Sequence, residues 1–168
     1  MLRVAQTLHT DKNTAHSYLC PYEVLFWKHQ KTAKNVLEIG VDRGGSLTLW
    51  SQYFENAHIH GIDQLSPLLP SDPRIHLYIQ DAYASSPVLP KMDVIIEDGS
   101  HRKEDMMKAI ELYLPLLNDG GIFVVEDIPD IEWVDDLRKC VPEGYECQHF
   151  DWRLNKGRHD DIVLVIWN

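Results

Sequence analysis

The chain has 168 residues, 44% hydrophobic and 25% charged, which suits one domain with a buried core. Its 26 acidic residues outnumber its 16 basic ones, for a formal charge of −10, and the cations are scattered. A nucleic-acid partner is therefore not expected, since its phosphates would be repelled. A membrane partner is not expected either, because the apolar runs are strand-sized and a span needs roughly 20 residues.

The opening MLRVAQTLHTDK has no apolar core or small-residue cleavage site, so no secretory leader is expected. Cys20, Cys140 and Cys147 stand in no metal-binding spacing, which fits a reduced, cytoplasmic protein. Pro21–Thr32 reads as a helix with proline in its first turn. Asn35–Ile39 reads as a short buried strand that runs into Gly40, and Ser46 is placed to cap a helix over Leu47–Tyr53. His58–Ile62 is a second strand ending at Asp63, followed by a proline-rich loop over Leu65–Pro73. Ile75–Ile79 is a third strand ending at Asp81. Asp93–Glu97 is a fourth, continuing into Asp98-Gly99-Ser100-His101. A helix over Lys103–Leu117 follows, closed by Asn118-Asp119-Gly120-Gly121. Ile122–Val125 is a fifth strand, ending at Glu126-Asp127. Ile131–Cys140 reads as a helix. Tyr145–Trp152 and Asp161–Trp167 read as a terminal antiparallel strand pair, joined by the turn-rich Asn155–Asp160.

Strands alternating with helices predict an α/β, Rossmann-like fold with a mostly parallel sheet and an antiparallel pair at the end. In such a sheet, ligands bind beyond the carboxyl ends of the strands. Five strand ends therefore bring Glu38, Gly40, Asp63, Asp81, Asp98, Glu126 and Asp127 to one edge.

Glu38-Ile39-Gly40-Val41-Asp42-Arg43-Gly44-Gly45-Ser46 is a glycine-rich strand-to-helix turn, where backbone can approach a ligand closely. It is not the GxGxxG dinucleotide fingerprint, because Asp42 stands where a second glycine belongs and would disfavour a pyrophosphate. A cofactor with a zwitterionic amino-acid end fits better. Asp63, about 20 residues on, is where an acid grips ribose hydroxyls. A nicotinamide-dependent oxidoreductase remains the competing reading of such a turn.

VLEIGVDRGGSL, HIHGIDQ, IQDA and DVIIEDGSH together resemble the motif series of class I methyltransferases. The resemblance covers residues Asn35 to Asp127. It implies S-adenosylmethionine as cofactor, with Gly40 and the following loop at the methionine end, Asp63 at the ribose and Asp81-Ala82 at the adenine. The implied cofactor-binding set is Thr10, Tyr18, Glu38, Gly40, Gly44, Ser46, Asp63, Gln64, Asp81, Ala82 and Asp98.

Asp98-Gly99-Ser100-His101 and Glu126-Asp127 lie past neighbouring strands. Three carboxylates there would repel one another unless a cation compensates them. Oxygen ligands suit magnesium, with manganese or calcium as alternatives. The metal would hold the acceptor, and His101 would take its hydroxyl proton as general base. The pairing DGSH…VVED also resembles the metal-dependent sugar O-methyltransferases of macrolide biosynthesis, of the mycinamicin kind, and the related rhamnosyl O-methyltransferase and cephalosporin-hydroxylase-like proteins. That resemblance implies Asp98, Glu126 and Asp127 as metal ligands and His101 as base. The group often has another histidine shortly after DGSH, where this chain has Asp105, read as a helix-surface residue.

The lead-in His9-Thr10-Asp11-Lys12, with His16, Tyr18 and Tyr22-Glu23, resembles the same group. Either Thr10, Lys12 and Tyr18 fold over the cofactor, or Thr10 or Asp11 caps a helix with an aromatic face. The expected partner is a small-molecule or glycan acceptor, with Trp133, Trp152, Arg153, Asn155, Arg158 and His159 as candidates to line its site. A catechol-type acceptor and a non-catalytic cofactor-binding protein remain alternatives, and a homo-oligomer is left open.

Overall fold

The computed structural model describes Met1 and residues 10–168; His9 of the lead-in lies outside the described residues. Two short helices lead in: α1 (Asp11–Thr14) and α2 (Leu19–Phe26). Then come β1 (Asn35–Ile39), α3 (Gly45–Tyr53), β2 (His58–Asp63), β3 (Ile75–Ile79), β4 (Met92–Glu97) and α4 (Lys103–Tyr113). The chain ends with β5 (Leu117–Val125), α5 (Trp133–Lys139), β6 (Glu146–Asp151), α6 (Arg153–Lys156) and β7 (Ile162–Trp167).

The seven strands form one sheet in the order β3-β2-β1-β4-β5-β7-β6. The first five are parallel, with Val36 opposite Val94 and Ile95 opposite Phe123. β7 runs antiparallel to both β5 and β6. The expected α/β architecture with a terminal antiparallel pair is thus the observed one. The order turns at β1/β4, where chain crossovers leave the sheet in opposite directions and a crevice opens at the carboxyl ends.

Continuous apolar runs make both faces of the sheet internal, because successive strand residues point opposite ways. Val36, Ile96, Val124 and Val163 pack with Tyr22, Phe26, Leu47 and Trp50 on one face. Leu37, Ile95, Phe123 and Leu164 pack with Met106, Ile110, Tyr113 and Leu137 on the other.

Several boundaries differ from expectation for identifiable reasons. α2 stops at Phe26, because Lys28–Thr32 offers no apolar stripe to bury. α3 begins at Gly45, with Gly44 in the left-handed region at φ 80 as its cap, and Ser46 points inward instead of capping. α4 tightens into a 3₁₀ turn at Leu114–Leu116, where Pro115 lacks the donor an α-helix requires. Asn118-Asp119-Gly120-Gly121 belongs to β5, as a register irregularity between the Met92–Leu117 and Val94–Ile122 pairs. No helix among the described residues is long and apolar enough to cross a membrane.

At the amino ends of β2 and β3 lie three stacked histidines. His58 Nδ1 is 2.9 Å from His76 Nε2, and the His60 ring lies 5.1 Å from that of His76. Burial, together with His76 and His58, pushes the His60 pKa down to about 4. A depressed histidine pKa means that the unfolded chain binds the proton more tightly. Its stabilising contribution is complete above about pH 6.5 and is lost as the pH falls toward 4. Allowing for solvent screening, the loss at pH 5 is about 1 kcal/mol. In urea melts at pH 7 and pH 5, His60→Gln should lose correspondingly less stability between the two pH values than the unaltered chain. Identical losses would show that His60 does not titrate this way.

Candidate functional site

The carboxyl ends of the strands frame two cavities that share Gly40, Asp63, Leu65 and Gly99 as lining. One, of about 400 Å³, is bounded by Ile62, Gln64, Gln80, Ala82 and Tyr83. The other, of about 600 Å³, is bounded by Thr10, Asp42, Ser46, Asp98 and His101. Together they form a groove that is largely apolar at the β2/β3 end and polar at the β4 end.

Backbone geometry builds this groove. Gly40 has φ 85, and a Cβ on it would stand 2.0 Å from the Asp98 carbonyl oxygen. Only a glycine lets the β1 turn lie this close to the β4 turn. Asp63 Oδ2 accepts the Val41 and Asp42 N–H groups, at 2.7 and 3.1 Å, and Oδ1 accepts Leu65 N–H at 2.9 Å. Burial pushes the Asp63 carboxyl up, but these backbone donors outweigh it and hold its pKa below the usual value. Tyr83 Oη donates to Glu97 Oε1 at 2.7 Å and accepts Ser100 N–H at 2.9 Å, which fixes the DGSH turn. Asp105, expected on the helix surface, also holds that turn, accepting the Ser100 hydroxyl at 2.6 Å.

Of the expected cofactor-binding residues, Thr10, Gly40, Ser46, Asp63, Gln64, Ala82 and Asp98 line the two cavities. Four do not. Gly44 caps α3 and faces the Leu69 side chain. Asp81 is exposed and stabilises its own turn by accepting Tyr83 N–H at 2.9 Å. Glu38 is fully buried, accepting the Ser46 hydroxyl at 2.6 Å and Trp50 Nε1–H at 3.1 Å. Tyr18 is also fully buried and donates to Asp127 Oδ1.

Next to the polar cavity is an acid cluster. Asp98, His101 and Asp127 each offer a ligand atom, and these atoms lie within 4.8 Å of one another. His101 and Asp127 hold left-handed backbone, at φ 54 and 52, which costs about 1 kcal/mol or more for a non-glycine residue. Glu126 is adjacent but occupied, with Oε1 accepting Tyr22 Oη–H and Oε2 accepting Lys12 Nζ, both at 2.6 Å. Lys12 Nζ also donates to Asp98 Oδ2 at 2.6 Å and lies 3.5 Å from Glu38 Oε1. His16 Nδ1 is 2.6 Å from Asp161 Oδ1 and 3.2 Å from Asp127 Oδ1.

The electrostatics report an excess of negative charge. Burial, and then the nearby Asp98, pushes the Asp127 carboxyl up to about 6. Burial also raises Glu38 to about 7, against the pull of Lys12, and holds Glu126 well above the usual range. Burial opposes the charge on Lys12, but Asp98, Glu126 and Glu38 outweigh it and keep the ammonium protonated. One lysine does not neutralise this cluster. Among the buried side-chain atoms at this edge that find no hydrogen-bond partner among the described residues are Thr10 Oγ1, Glu97 Oε2, His101 Nδ1 and Asp161 Oδ2. The carboxylate excess suits a hard divalent ion, and the orphaned imidazole nitrogen of His101 leaves a proton acceptor beside it.

Sequence reasoning did not find Asp161. Its signal was the acid standing before the apolar run IVLVIW. Because β7 runs antiparallel, that strand's beginning lies at the carboxyl edge of the others. Of the expected acceptor residues, Trp152 stacks on Phe150 and packs against Tyr18. Arg153 and Arg158 pair with Asp151 and Asp160, two residues away in each case.

A family model described as a methyltransferase domain matches residues 37–128. The chain is 32% identical over 156 residues to an 8-demethyl-8-alpha-L-rhamnosyl tetracenomycin-C 2'-O-methyltransferase of Streptomyces olivaceus, covering 79% of this chain and 40% of that protein. It is 27% identical over 161 residues to the mycinamicin VI 2''-O-methyltransferase of Micromonospora griseorubida, covering 88% and 40%. The chain thus spans about 40% of the length of these relatives. Among solved structures, the MycE methyltransferase of the mycinamycin pathway, in complex with Mg, SAH and mycinamycin VI, superposes with a TM-score of 0.66 at 25% identity. That match covers 74% of this chain and 36% of the other.

The close approach at Gly40 is testable. Gly40→Ala should cost about 2 kcal/mol or more in urea unfolding, from the clash with Asp98 added to the backbone strain. Gly157→Ala shares the positive φ, here 73, but meets nothing within 4 Å, and should lose only about 1 kcal/mol. Equal losses would mean that contact with the β4 turn is not what requires glycine.

Proposed function

Since this chain belongs to the methyltransferase-domain family, we propose that it transfers a methyl group from S-adenosylmethionine to a sugar hydroxyl, with magnesium or manganese at its acid cluster. The observation that carries this reading is the continuity of the groove. An apolar end at Ala82 and Ile62 runs past Asp63 to Asp98 and His101, where the acids gather.

The apolar end suits the adenine. Asp63 lies midway, where its carboxylate can also accept ribose hydroxyls. The polar end, with Thr10, Ser46 and the main chain around Gly40, suits the zwitterionic methionine portion. Asp98 and Asp127 are the ligands that the geometry favours, with Glu126 beside them. A divalent ion held there would polarise an acceptor oxygen and ease its deprotonation. His101 then takes the hydroxyl proton as general base. Its backbone strain is the cost of aiming the ring into the cavity. Alignment of the hydroxyl with the methyl carbon, and removal of that proton, are what the chain contributes to rate.

The sugar acceptor is supported by the tetracenomycin and mycinamicin relatives, which act on sugar-bearing small molecules by their names. Activity on a rhamnosylated or related glycosylated acceptor, assayed with and without EDTA beside a catechol control, tests the reading. EDTA should abolish methylation of the sugar, and the catechol should be a poor substrate. His101→Ala should retain S-adenosylhomocysteine binding while turnover falls about 100-fold or more. Turnover equal to that of the unaltered chain would remove His101 as base, and preference for the catechol would replace the sugar reading.

A further inference from the structure

We propose that Lys12 is a resident cation that competes with the divalent ion for Asp98, and so sets how tightly that ion is held. The inference rests on the metal reading above and adds a residue that tunes it.

Asp98 is shared. It offers a ligand atom to the group with His101 and Asp127, while its Oδ2 accepts Lys12 Nζ at 2.6 Å. Lys12 is 1% exposed, so water does little to screen its charge from an ion on the same carboxylate. Two cations on one carboxylate repel each other, and the divalent ion binds more weakly than the same ligands would hold it without the lysine.

The remaining contacts show why the lysine can act on affinity without being the only thing that holds the ligands in place. Glu126 keeps Tyr22 on its other oxygen, Asp127 keeps Tyr18, and Glu38 keeps Ser46 and Trp50. These are neutral donors, which fix carboxylates in position without cancelling their charge. The DGSH turn that carries Asp98 is fixed separately, through Tyr83 and Asp105. Lys12 enters from α1, a four-residue helix, whereas Asp98 follows a central strand. Of the two partners, the lysine is the one able to withdraw.

Coupling of this kind is reciprocal: if Lys12 weakens the metal, the metal must loosen Lys12 by the same factor. Two measurements follow. In Mn²⁺ titrations read by the electron paramagnetic resonance of the free ion, Lys12→Met should bind at least tenfold tighter than the unaltered chain, and Lys12→Arg, which keeps the charge, should stay within about threefold of it. In the unaltered chain, Mg²⁺ should speed acetylation of Lys12 severalfold, read by mass spectrometry against the exposed Lys108 as internal reference. That arm remains decisive if Lys12→Met does not fold.

Mn²⁺ binding to Lys12→Met that is equal to or weaker than that of the unaltered chain overturns the proposal and leaves the metal site standing. An acetylation rate indifferent to Mg²⁺ overturns it too. Absence of Mn²⁺ binding in the unaltered chain and in both variants removes the metal reading and this inference with it.

Discussion

Mutual repulsion among carboxylates at the carboxyl edge of the parallel strands is the constraint around which this structure is arranged. Glu38, Asp98, Glu126 and Asp127 come from three adjacent strands and are held in a largely water-free layer. Left alone they would drive the β1, β4 and β5 tips apart or take up protons. The lead-in segment answers this with one ammonium, two phenols and an imidazole, from Lys12, Tyr18, Tyr22 and His16. Each is directed at a named acid. The segment is therefore part of the site's electrostatics, and its aromatic rings continue directly into the core through Phe26 and Trp50.

That arrangement divides the edge into two chemically different halves. Around Asp63 the carboxylate is satisfied by backbone N–H groups and stays ionised in contact with solvent. Around Asp127 the donors are side chains and the acids remain undercompensated. A zwitterionic, nucleoside-bearing molecule and a hard cation ask for these two environments side by side. The sheet supplies both because its strand order turns between β1 and β4, which opens the crevice where the halves meet.

Much of this was legible from residues alone. Strand periodicity, the glycine turn and the acids after each strand gave the sheet, its ligand edge and most of the groove lining. Two kinds of feature were not legible. Partnerships across long sequence separation, such as Lys12 with Asp98 and Glu126 or His16 with Asp161, depend on where the lead-in folds back, and no local pattern encodes that. The roles of Glu38 and Tyr18 depended on burial depth. An acid in a strand reads the same whether it faces a ligand or a tryptophan indole. Asp105 shows the converse: at the start of a helix it resembled ordinary surface charge, and only the course of the DGSH turn gave it a partner.

Asp42, His101 and Asp127 all hold left-handed backbone without being glycine. At each of these positions glycine would relieve the main chain, so the sequence forgoes some stability to keep a side chain in place. Selection for heat resistance alone would favour glycine at these three points and remove the side chains they carry. Under the function proposed above, histidine at 101 and aspartate at 127 mark places where endurance is exchanged for chemistry.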